Sequence, residues 1–254
     1  MSDDTPKQGH VSSVATLYLA EPCHPDYNAL VAEIAKVQKI DVVSTSQSSV
    51  ITWGGGRFFA VSNNEPIPRH VYYQIASNNG LWPEALTALA SHRATLHLLV
   101  QPQPENLLDS LVLQTMLARV FMNHLPVLGV NFGEALISPQ TFSYLCGRMQ
   151  EEGRAPVAAW IRIQISRDGD KTILSTVGMQ AFGLMEVECN PSPLAPEDTW
   201  AVVEYLISYV LKEGPILGDG DTFEIDQSSH GIIRIHHAPS FRKNVGTVYL
   251  IDFS

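Results

Sequence analysis

The chain has 254 residues, 45% hydrophobic and 17% charged, a globular balance that excludes wholesale disorder. Its 26 acidic residues outnumber 16 basic ones and leave a net charge of −10; a general nucleic-acid binder needs the opposite sign, because its affinity rests on neutralising phosphates. The opening MSDDTPKQGH lacks the basic start and apolar run of a secretory leader, and the apolar stretch 107–130 is broken by Asp109, Arg119, Asn123, His124 and Pro126, so neither a leader nor a membrane span is expected.

Residues 1–13 read as a disordered tail. Ala15-Thr16-Leu17-Tyr18-Leu19 reads as a strand, and Asp26 can cap a following helix whose stripe is Tyr27, Leu30, Val31, Ile34 and Val37. Val50-Ile51-Thr52-Trp53 and Phe58-Phe59-Ala60-Val61 are β-rich runs divided by Gly54, Gly55 and Gly56, the pattern of a hairpin. Pro66 and Pro68 begin an irregular or partly helical segment, Pro83 opens a short helix, and Thr95 to Val100 is the next strand. Strand, helix, strand, strand, helix, strand is the split βαβ, or ferredoxin-like, order.

A helix over 104–121 follows, apolar nearly all round and therefore suited to burial between layers. Val127-Leu128-Gly129-Val130 is a strand. Ser138 caps and Pro139 opens a helix with Phe142, Leu145, Cys146 and Met149 on its stripe. Residues 157–165 and 173–177 read as strands joined at an Asp168-Gly169 turn. Pro196 opens a helix with Trp200, Val203, Leu206, Ile207, Val210 and Leu211 on its apolar side, and Gly214-Pro215 stops it. Residues 248–253 form the last strand. The expected fold is α+β: two tandem ferredoxin-like βαββαβ halves, 14–124 including a buried joining helix and 125–254 including an insertion near 215–245.

Few motifs carry chemistry. Gly54-Gly55-Gly56 resembles a phosphate loop only superficially, because Arg57-Phe58-Phe59 continues as strand instead of opening a helix. Asp168-Gly169-Asp170 and Asp219-Gly220-Asp221 offer oxygen ligands, but neither continues into a calcium-loop pattern. His92, His97, His230, His236 and His237 lack the close pairing of a zinc site, and neighbours His236 and His237 point to opposite faces of a strand. No cofactor and no metal are expected. Cys23, Cys146 and Cys189 are too few and too far apart for a disulfide framework, which suits reduced thiols and a cytoplasmic setting.

The strongest physical signal is charge. Between Glu186 and Asp226 stand ten acidic residues against Lys212 alone, which accounts for −9 of the chain's −10. Two readings fit: an ordinary solvated surface, with Glu197 and Asp198 favoured by the dipole at a helix start, or an electronegative face that steers a basic partner. Arg234, Arg242 and Lys243 follow as a smaller basic cluster, which admits self-association into a homo-oligomer.

Several phrases together resemble one family. They are His92 to Val100 (HRATLHLLV), Pro126 to Phe132 (PVLGVNF) with Ser138-Pro139-Gln140-Thr141-Phe142, Thr176 to Glu188 (TVGMQAFGLMEVE), and Gly214 to Thr222 (GPILGDGDT). The chain resembles the bacterial domain-of-unknown-function family 4261 over roughly 14–253, most specifically in Gly-Met-x-x-Phe-Gly-x-x-Glu-x-Glu, with Met185 where proline is more usual. The resemblance implies no established catalytic residues. Some relatives stand beside toxin and secretion systems, which implies an immunity or accessory role.

The leading expectation is therefore a protein-binding module that occludes a basic toxin or secretion-system component through Glu197, Asp198, Glu204, Asp219, Asp221, Glu224 and Asp226, with Trp200, Tyr205 and Tyr209 as nearby aromatic anchors. A hydrolase built on Glu186, Glu188 and His97 is the rival expectation, since two carboxylates on one strand face can act as an acid/base pair. A structural, oligomer-forming module is the third.

Overall fold

The computed structural model describes residues 13–23, 26, 32, 40–44, 48–53, 56–77, 79–101, 107–192, 194–223 and 233–253. The expected N-terminal tail, save Ser13, lies outside them, as do the stripe residues Tyr27, Leu30, Val31, Ile34 and Val37 of the helix predicted after Asp26; Ala32 between them is helical.

Strands β1 (Ser13–Leu19), β2 (Ile40–Ser44), β3 (Ser48–Trp53), β4 (Gly56–Asn63), β5 (Ala94–Gln101), β6 (Val127–Phe132) and β7 (Ala135–Ile137) form one sheet in the order β2-β3-β4-β5-β1-β6-β7. A second sheet holds β8 (Arg162–Asp168), β9 (Lys171–Val177), β10 (Val187–Cys189), β11 (Thr222–Phe223), β12 (Ile233–Pro239) and β13 (Thr247–Asp252), in the order β11-β12-β13-β10-β9-β8. All pairings are antiparallel except β10 with β13. Among the described residues the continuous α-helical segments are α1 (Arg69–Ser77), α2 (Ala85–Leu89), α3 (Leu107–His124), α4 (Pro139–Glu152), α5 (Val157–Trp160) and α6 (Pro196–Glu213).

The α+β class stands. Tandem ferredoxin-like halves are not confirmed: β4 pairs with β5 and not with β1, and β6, read as the first strand of the second half, pairs with β1 in the first sheet. The predicted strand over 157–165 is a single buried helical turn, α5, followed by β8. Pro156 precedes that turn and Ile161 N bonds to Val157 O across it. Four apolar residues are too few to show a period, so burial and not pattern decides their conformation. The expected insertion supplies β11 and β12, and β12 shows alternating burial through Ile233 and Ile235.

The chain's punctuation behaves as its chemistry dictates. Ser138 Oγ accepts from Thr141 N at 3.1 Å, and Pro139 is the first residue of α4. Gly169 turns β8 into β9 at φ 61°, a left-handed conformation that glycine adopts without strain. Gly129 lets α2 close on β6: a Cβ there would sit 2.9 Å from Leu89 Cδ2 and 3.0 Å from Trp82 Cζ3.

One core joins the sheets. α3 packs on β1, β5, α4 and α6, while α6 packs on β9. Leu111, Leu117, Ala118 and Phe121 of α3 are buried with Val203, Leu206, Ile207 and Val210 of α6. α3 is buried or half-buried along nearly its whole length, whereas α6 is amphipathic. This arrangement turns one side of α6 inward and presents the other to solvent.

Candidate docking face and two buried carboxylates

The Gly-rich stretch after β9 is a closed loop. Gly178 takes φ 120°, a 3-10 turn spans Met179–Phe182, Gly183 takes φ 71°, and the chain returns as β10. Glu186, 5% exposed, holds the loop shut: its carboxylate accepts from Thr176 Oγ1 at 2.7 Å and from Gly178 N at 2.9 Å. Glu188 is fully buried. Its Oε1 accepts from Ser240 Oγ at 2.6 Å and Arg242 Nε at 2.8 Å, and its Oε2 accepts from Phe241 N at 3.1 Å. Both oxygens of both carboxylates are therefore engaged by donors that fix loops. The motif's two glutamates tie down the Thr176 hydroxyl and Gly178 N on one side and the β12–β13 connection on the other.

His97 lies on β5 of the other sheet, directly across from Thr16. Its ring bonds to Thr16 Oγ1 at 3.0 Å and Thr95 Oγ1 at 3.1 Å, and burial lowers its pKa. Its hydrogen-bond partners are thus two threonines, and the expected cluster with Glu186 and Glu188 is not among them. His92 is a core residue: Nε2 accepts from Ile67 N at 2.8 Å, Nδ1 donates to Leu89 O at 2.6 Å, and Tyr18 and Tyr72 pack against it edge-on. His230 lies outside the described residues. Among the described residues no group of three or more His, Cys, Asp or Glu side chains could hold a metal ion.

The remaining acidic residues fall on α6 and the strap that follows it. Glu197 and Asp198 are exposed in the first turn of α6. Glu204 is half-buried in the field of Arg148 and Arg154, and burial pushes its pKa up. Asp219 is exposed. It accepts from His237 N at 2.9 Å and has His236 Nδ1 at 3.5 Å, which together hold its pKa below the usual carboxylate range. Asp221, also exposed, accepts from Gly218 N at 2.8 Å. Glu224 and Asp226 lie outside the described residues.

Along α6 the exposed positions Glu197, Ala201, Tyr205, Tyr209 and Glu213 recur every fourth residue, which makes them one ridge of the helix surface. Tyr205 is 50% exposed, and Phe223 of β11 stacks on it with ring centroids 5.9 Å apart and planes 23° from parallel. Trp200, in contrast, packs against the core. Phe223 is the member that sequence reasoning misses. A two-residue strand carries no periodicity, and only the pairing of Phe223 with Ile233 sets it beside α6.

The fold and this surface define a two-sheet α+β protein with an acidic, aromatic helix face. Residues 175–250 match the model of a family described as Domain of unknown function (DUF4261), in agreement with the resemblance over the stretch that carries its most specific motif. The match takes in Glu186, Glu188, α6 and the strap. No curated protein and no solved structure matches the chain. No helix among the described residues is long and apolar enough to cross a membrane.

Proposed function

We propose that this chain is a cytoplasmic protein-binding module, an immunity or accessory protein that neutralises a basic cognate toxin or secretion-system component by occlusion. The carrying observation is the α6 ridge, where exposed Tyr205 and Tyr209 lie between Glu197 and a Glu213 paired with Lys212, with exposed Asp219 and Asp221 on the following strap. Excess negative charge steers a cationic protein into encounter, and exposed aromatic rings then hold it by burying area at small entropic cost. Glu186 and Glu188 support the face indirectly by fixing loops of the sheet beneath α6.

The test is rapid mixing of the purified protein with the product of the neighbouring gene, with the association rate followed as salt rises. A complex whose association rate falls about tenfold between low and physiological ionic strength supports the reading. No complex, or a rate indifferent to salt, overturns it.

A further inference from the structure

We propose that the Tyr205–Phe223 stack is a seat for an arginine side chain of the cationic partner, so that the face selects arginine over lysine at equal charge. The proposal rests on the docking reading above and names the chemical group that the face recognises.

Three observations carry it. Tyr205 is half exposed on the outward side of α6, and Phe223 stacks on it with ring centroids 5.9 Å apart, which holds the Tyr205 ring in place. The ridge that bears Tyr205 carries Tyr209 one turn on and ends in Glu197 and in Glu213, which is ion-paired with Lys212 at 3.0 Å, while Asp221 lies two residues before Phe223. The chain also places a guanidinium over a tyrosine elsewhere: Arg69 Cζ lies 5.7 Å from the centre of the exposed Tyr73 ring. No such pair involves Tyr205 among the described residues.

The preference follows from solvation and shape. A guanidinium is planar and weakly hydrated, so it can lie flat on an aromatic face while its edge N–H groups stay hydrated. A lysine ammonium is compact and strongly hydrated. It is drawn by the same negative charge but loses more water when pressed onto a ring. Charge alone therefore binds both cations, and the aromatic ring separates them.

The probes are fluorescein-labelled decaarginine and decalysine, which carry the same number of side-chain charges. Their affinities are measured by anisotropy at low salt against the wild type, Tyr205→Ala and Tyr205→Phe. Both peptides are expected to bind the wild type, the arginine peptide about three- to fivefold more tightly, as an exposed cation–π contact predicts. Tyr205→Phe keeps that ratio, and Tyr205→Ala brings it to one while leaving decalysine binding unchanged. Equal affinities in the wild type, or a ratio that survives Tyr205→Ala, would overturn the arginine seat and leave the docking reading standing. Failure of both peptides to bind would overturn the docking reading and the seat with it.

Discussion

Glu188 and Arg242 meet at 2.8 Å although 54 residues separate them, and the glutamate is fully buried. The pair ties β10, in the middle of the second sheet, to the connection between β12 and β13. A buried carboxylate is tolerable only when paired and hydrogen-bonded, and Ser240 Oγ and Phe241 N complete the set. Glu188→Ala would strand Arg242 and both of those donors. The expected loss is about 3–5 kcal/mol of unfolding free energy, read from the denaturant midpoint. Faster hydrogen exchange at the Phe241 amide should accompany it. Wild-type stability in the variant would mean that the pair contributes nothing net.

Gly129 makes an opposite kind of prediction, in which adding one carbon destabilises. Gly129→Ala forces a Cβ to within 2.9 Å of Leu89 Cδ2 and 3.0 Å of the Trp82 ring. Overpacking of this kind costs about 1–3 kcal/mol. Thermal unfolding measures it, and a blue or red shift of Trp82 fluorescence would report the ring's displacement.

His97 should make stability depend on pH. Burial favours its neutral form and sets its folded pKa below the ordinary value near 6.5. Below that value the unfolded chain takes up the proton more readily than the folded one. The contribution of His97 is therefore fully present above pH about 6.5 and is lost as pH falls through its folded pKa. The melting temperature should drop on acidification in this window, and His97→Gln should flatten that part of the profile. An unchanged slope in the variant would assign the drop to other groups.

The thiols should divide into two kinds. Cys146 and Cys189 are buried, and burial pushes both up to about 11, so they stay protonated and shielded. Cys23 is only partly buried. A thiol-specific reagent at pH about 8 should modify at most one cysteine in the native protein, and all three only after unfolding. Rapid native labelling of two or more would contradict the packing of Cys146 or Cys189.

Much of the fold is legible in the sequence because local chemistry dictates it. Ser138-Pro139 at the start of α4, Pro196 and Gly214 at the ends of α6, and Asp168-Gly169 between β8 and β9 each act through their own backbone preferences. Strand order is a different matter. The element order suggests a split βαβ unit, but pairing is chosen by which faces bury together, and β6 completes the first sheet beside β1. α5 escapes a pattern reading because four apolar residues have no measurable period.

The same divide runs through the candidate site. Charge is additive along a sequence, so the acidic stretch and the tyrosines of α6 are plain in the order of residues alone. The roles of Glu186 and Glu188 are not. Their spacing suggests an acid/base pair, while their partners, Gly178 N and Arg242, are set by a loop reversal and by a contact 54 residues away. Phe223 becomes visible only through its stacking on Tyr205.

The most direct test of the central claim maps where a cation lands. Amide and tyrosine-ring chemical shifts of the labelled protein are followed during titration with decalysine, at low salt and again at physiological salt. The account predicts shifts confined to residues 197–213 and 217–223, fading as salt screens the charge. Shifts spread evenly over the surface, or gathered on the first sheet, would contradict it.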